Sequence, residues 1–226
     1  HMISARLIQR NQGDFKIDNS SSSFESSLSK NFPLNTELES YLTFRGKAKG
    51  SWLLSVSPNS ESFSVRTRHS FISLPDEGYK PRKFDPRAGY GAMTFYDYAS
   101  PIEDDLHVKY IRRHRLIKKN PEKEVSEAVE PIIYYLDRGV PEPVKSALLD
   151  GGAWWNEAFE AAGFKNAFQI KVLPEGADML DVRYNVIQWV HRSTRGWSYG
   201  SSVVDPRTGE IIKGHVSLGS LRVRQD

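Results

Sequence analysis

Residues 182–226 read VRYNVIQWVHRSTRGWSYGSSVVDPRTGEIIKGHVSLGSLRVRQD. Val186–Val190 carries β-branched and aromatic residues in a short run and predicts a strand. A polar, Gly-, Trp- and Tyr-bearing loop follows, from Arg192 to Gly200. Asp205-Pro206-Arg207-Thr208-Gly209 is turn chemistry, and it joins a strand at Ser201–Val204 to one at Glu210–Leu218. The basic segment after Leu218 reads as the start of a helix, and the sequence ends on it without a Gly or Pro stop.

Working back from this stretch, Pro131–Asp137 (PIIYYLD) predicts a buried strand and Phe168–Leu173 (FQIKVL) another. Between them lies the clearest helix. Pro143 suits a first helical turn, and Glu142 adds favourable charge there. Val144, Leu148, Trp155, Phe159 and Ala162 form an apolar stripe near helical spacing, and Gly163 suits a left-handed stop. The order β-α-β-β-β predicts a mixed sheet. The strands flanking the helix are parallel, and an antiparallel strand lies at an edge. Trp154, Trp155 and Trp189 are expected as core anchors rather than a ligand-stacking box.

The first half has a different pattern. Residues 1–35 are polar, with serines at 20–23 and 26–27, and predict a loop-rich or poorly packed segment. His1-Met2 resembles an expression-vector remnant. From Thr36 the pattern changes to short strands at Leu38, Tyr41–Phe44, Trp52–Val56, Phe63–Arg68, His69–Leu74, Tyr90–Tyr98 and Val108–Ile117. No helical period precedes about residue 120. The predicted class is α+β, with an antiparallel β domain over 36–120, a charged hinge at Lys119–Glu124, and a second domain over 121–226.

At 226 residues with 26% charged and 38% hydrophobic residues, the composition is that of an ordinary globular chain. The absence of cysteine excludes thiol catalysis, disulfides and Cys-ligated zinc. No apolar run approaches the roughly 20 residues of a membrane-spanning helix. The net charge is +3. The basic run Lys109-Tyr110-Ile111-Arg112-Arg113-His114-Arg115 reads as the solvated face of a strand, so no nucleic-acid partner is expected. Glu103, Asp104, Asp105 and Asp85 lack EF-hand spacing and read as solvated loop. G-x-S-x-G, P-loop and Rossmann glycine patterns are absent.

The segments EAVEPIIYYLDRGVPEPVKSALLDGGAWWNEAFEAAGF (127–164), LPEGAD (173–178) and 181–226 resemble the N-terminal part of a metzincin-type zinc metallopeptidase domain. The likeness is to large bacterial zinc-dependent metalloproteases, common in gut Bacteroidetes, in which a domain of formerly unknown function precedes the protease domain. NTELESYLTF (35–44) and RHSFISLPDEGYKPRKFDPRAGY (68–90) resemble that preceding domain. The resemblance implies peptide-bond hydrolysis, a zinc cofactor in the parent protein, a peptide or protein substrate, and a periplasmic, cell-surface or secreted location.

In that family the metal and base come from H-E-x-x-H-x-x-G-x-x-H on a helix. His1, His69, His107, His114, His191 and His215 include no pair four apart. The chain therefore reads as a piece that stops before the catalytic helix, with no catalytic and no metal-ligating residue of its own. The expected site residues are Lys213, Gly214, His215, Val216, Ser217 and Leu218 as a cleft-edge strand that pairs with extended substrate. Arg195, Trp197 and Tyr199 are expected in a loop rimming the cleft. Two other readings stand beside this one: a protein- or glycan-binding β module, and a regulatory domain that covers the cleft like a pro-segment. Surface left bare where the rest of the domain packs predicts a dimer.

Overall fold

The computed structural model describes residues 1–192 and 197–224, except for the side chains of 222 and 224. The architecture is α+β, with more strand than helix. Packing divides the chain into two units, His1–Ser73 and Leu74–Asp226.

In the first unit, α1 (Met2–Gln9) precedes β1 (Gly13–Phe24), β2 (Lys30–Asn31), β3 (Asn35–Ala48), α2 (Ser51–Val56) and β4 (Ser62–Ile72). The long strand β3 is the spine. It pairs antiparallel with β4 along one side, and with β1 and then β2 along the other. Phe15, Phe44 and Phe63 meet at its centre, with ring centroids 5.0 and 5.2 Å apart. The expected loop over residues 1–35 is corrected here. The serines at 20–23 lie in β1, where the register shifts between Asp18 and Ser23. The Asp18 carboxylate accepts from the Ser20 and Ser21 hydroxyls and from Arg45. Polar composition hid the strand because this edge hydrogen-bonds its own side chains. Trp52–Val56, expected as a strand, is helical. Its Leu53 N–H is capped by the Gln12 amide oxygen, a partner that lies 41 residues away.

In the second unit, β5 (Ala92–Tyr96) and β6 (His107–Ile111) form an antiparallel pair. β7 (Ser126–Glu127) pairs parallel with β9 (Phe164–Lys165). β8 (Ile132–Leu136), β10 (Phe168–Val172), β11 (Asn185–Val190), β12 (Tyr199–Val204) and β13 (Ile211–Gly219) make a five-stranded sheet in the order β10-β8-β11-β13-β12. All neighbours are parallel except β12 with β13.

The predicted helix spans α3 (Val144–Ala153) and α4 (Trp155–Ala161), interrupted at Trp154, which keeps helical dihedrals. Gly163 ends it at φ +85°. Val144 and Leu148 pack with Ile170 against the buried cluster Leu136, Val140 and Ile187. Trp154 and Trp155 are not core anchors: they are 69% and 63% exposed. Trp189 is partly buried in this cluster, with its indole N–H unpartnered.

The division expected near residue 120 differs from the division by packing. Residues 74–117 belong with the mixed sheet. Arg113 exchanges backbone hydrogen bonds with Gly209 and Ile211, and Arg115 grips Glu210 at 2.8 Å. A strand pattern read from sequence does not name the strand's partner, so composition marked a boundary that packing crosses.

Candidate functional site

β12 is one of the two edge strands of the mixed sheet. It pairs with β13 on one side, and among the described residues no strand pairs with its other side. A strand in that position presents a row of main-chain N–H and C=O groups to an incoming extended chain. Tyr199, Gly200, Ser201 and Val203 are exposed along it. Arg192 fixes its start. Its guanidinium donates to the Trp197 carbonyl at 3.0 Å and lies 5.2 Å from the Trp197 ring centroid. The Gly219 N–H donates to the Ser198 hydroxyl at 3.2 Å.

The expected edge role of Lys213–Leu218 is corrected. These residues lie in β13, inside the sheet, with β12 on one side and β11 on the other from His215 onward. Their side chains alternate between two structural duties. On one face, Val216 and Leu218 line an apolar cavity, and Gly214 makes room for the Tyr134 ring. On the other, the buried Lys213 ammonium donates to the Met179 and Asp181 carbonyls at 2.5 and 2.9 Å. The Ser217 hydroxyl accepts from Arg192 at 3.4 Å. His215 is half-buried, and burial with the nearby Lys213 charge holds its pKa below the ordinary histidine value.

A glycine at 214 leaves room for a close approach. The approaching group is Tyr134, and the Gly214 N–H is taken by the Asn185 side chain at 2.7 Å. Of the rim residues, Tyr199 is the first residue of the edge strand, Trp197 stands two residues before it, and Arg195 lies outside the described residues.

A Cβ at position 214 would sit 1.9 Å from the Tyr134 hydroxyl oxygen. Gly214→Ala is therefore expected to cost about 1–3 kcal/mol of stability by overpacking. Adding Tyr134→Phe should recover only part, because a ring carbon remains at 2.5 Å. Thermal unfolding of the single and double variants checks both statements. An unshifted midpoint for Gly214→Ala would contradict the packing described.

The apolar cavity has a volume of about 540 Å³ and lies between α3, α4 and the sheet. Tyr134, Leu148, Phe168, Val216 and Leu218 line it, and Trp155 lines it while staying largely exposed. His114 borders it, 3.4 Å from the Tyr134 hydroxyl. Burial pushes the His114 pKa down to about 4, so the ring is neutral near pH 7.

The unfolded chain binds this proton near the ordinary value of 6.5 and the folded chain only near 4. Stability carried by neutral His114 is present above pH 6.5 and is lost as pH falls toward 4. The loss approaches about 3 kcal/mol. His114→Phe should flatten the stability profile over that window. An unchanged slope would remove His114 as its cause.

Among the described residues, no group of three or more His, Asp or Glu is placed to hold a metal ion. No described helix is long and apolar enough to cross a membrane. A family model described as a domain of unknown function, DUF5117, matches residues 1–119. The chain belongs to the DUF5117 family. The DUF5117 match ends beside the charged segment Lys119–Glu124 and takes in both the first unit and the strands β5 and β6 of the second. No curated protein matches the chain, and no solved structure matches it.

Proposed function

We propose that this DUF5117 chain is the N-terminal part of a zinc-dependent metalloendopeptidase, and that its own contribution is the substrate-pairing edge of the cleft. One observation carries this reading: among the described residues, the one strand that runs antiparallel in the mixed sheet, β12, is also one of its two open edges. That is the strand expected to run along an extended substrate, so the role expected of Lys213–Leu218 passes to Tyr199–Val204. Main-chain pairing gives affinity with little side-chain selectivity, which suits an endopeptidase. The uncovered apolar cavity beside α3 and α4 supports the same reading, since it offers apolar surface for a further element of the domain.

Bound zinc supplies the acidified water that hydrolyses a peptide bond in such enzymes. The described residues do not fit a zinc site, so no step of the reaction is assigned to them. The parent would act in the periplasm, at the cell surface or outside the cell. In the isolated chain, the bare apolar surface favours self-association.

Two measurements test the reading. Metal analysis of the purified chain is expected to find no stoichiometric zinc, and peptide substrates should stay intact. One tight zinc per chain, with hydrolysis abolished by a chelator, would overturn the division of labour. Amide exchange in the presence of excess non-cleavable extended peptide should slow at Tyr199–Val204 and leave β13 unchanged. Slowing elsewhere, with β12 unaffected, would remove the edge-strand role.

The family match at residues 1–119 and the separate aromatic core of the first unit favour a second reading for that region, as a binding or cleft-covering module. Binding of peptides or glycans that survives disruption of β12 would support it.

A further inference from the structure

We propose that a pocket lined by Arg82 and Arg112 binds a carboxylate carried on an apolar group. This inference is independent of the peptidase reading. The pocket has a volume of about 510 Å³ and lies wholly within the second unit. One wall is cationic and the other is apolar, supplied by Ile132, Phe159 and Phe164. The basic run read from sequence as a solvated strand face thus converges with a distant arginine.

Backbone hydrogen bonds fix that convergence. The Ile111 N–H donates to the Arg82 carbonyl at 3.0 Å, and the Arg112 N–H donates to the Gly91 carbonyl at 2.9 Å. The Arg112 guanidinium lies over Gly91, where a Cβ would meet it at 2.3 Å.

Neither Arg82 nor Arg112 has a carboxylate partner among the described residues, and no Asp or Glu lines the pocket. Asp76 and Glu210 are both held by Arg115, at 2.6 and 2.8 Å. The Arg113 guanidinium is engaged elsewhere, donating through Nη2 to the Lys80 carbonyl and stacking on Tyr79, neither of which lines this pocket. Two like charges beside one cavity repel each other. An oxyanion between them relieves that repulsion. The planar guanidinium fork matches a carboxylate in two-point contact. His114, also in the lining, is neutral near pH 7, so the arginines alone supply the charge. A bare inorganic ion would leave the Phe159–Phe164 wall facing water, whereas an apolar group attached to the carboxylate covers it. The ligand class is therefore an apolar acid, such as the end of a peptide chain closing on an apolar residue.

Calorimetric titration of the full chain with N-acetyl-leucine, N-acetyl-leucinamide and inorganic phosphate tests this. The acid should bind saturably, and the neutral amide and phosphate should each bind at least about tenfold more weakly. Arg82 and Arg112 are exposed, so Arg82→Ala/Arg112→Ala should keep the thermal midpoint while weakening the acid at least about tenfold. Four results would overturn the proposal: no saturation with the acid, equal binding of acid and amide, phosphate binding as tightly as the acid, or undiminished binding by the double variant.

Discussion

Phe44→Ala is expected to remove about 3–5 kcal/mol from the stability of residues 1–73. Phe44 is fully buried, and in this unit only Phe15 among the apolar residues is comparably enclosed. The ring stacks on Phe63, its partner in the β3–β4 register, with 12° between the planes. Phe15 also meets Phe63, edge-on. Much of the remaining buried surface of β3 is polar: Asn35, Glu37 and Glu39 are satisfied by one another and by their neighbours Ser70 and Arg68. Those groups specify register but replace little of the transfer free energy that a lost ring forfeits. A unit of this size buries a modest fraction of its surface, so the loss is a large part of its total stability. Amide exchange along β1, β3 and β4 should accelerate together in the variant. Exchange matching the wild type would show that the aromatic group is not the core of this unit.

Leu136→Ala is expected to cost the second unit about 2–5 kcal/mol. Leu136 is fully buried on β8, which pairs with both β10 and β11. Its side chain joins Val140 and Ile187 beneath Val144 and Leu148 of the helix. Truncation opens a void where these strands and α3 converge, and sheet pairing holds the backbone so that it relaxes only partly. The apolar cavity beside the site gives some room for collapse, which favours the lower half of the range. Thermal unfolding read through exchange of β8, β11 and β13 measures the effect. A loss under about 1 kcal/mol would place the core elsewhere.

The mixed sheet was largely legible from sequence because its strands are short apolar runs separated by clear punctuation at Gly139, Gly163 and Asp205–Gly209. The parallel strands on either side of the helix and the antiparallel edge are consequences of that order. Which strand of the last hairpin forms the edge was not. Ser201–Val204 and Glu210–Leu218 both read as strands, and the deciding fact is the pairing of Val186–Val190 with His215–Gly219 across the hairpin. Gly214 carried an ambiguous signal, since a backbone stripped of a side chain admits a substrate or a tyrosine equally. Trp154 and Trp155 were misplaced because helical spacing selects a face but does not state what covers it. The arginine pocket was invisible because Arg82 and Arg112 belong to segments far apart in number, and only backbone pairing brings them together.

The proposed peptidase reading requires a catalytic helix that follows Asp226. Sequencing the reading frame beyond the Asp226 codon is the most direct test. The account predicts H-E-x-x-H-x-x-G-x-x-H within roughly a few tens of residues, then a Met-containing turn. A frame that stops at once, or that runs for a domain's length without that motif, would contradict it.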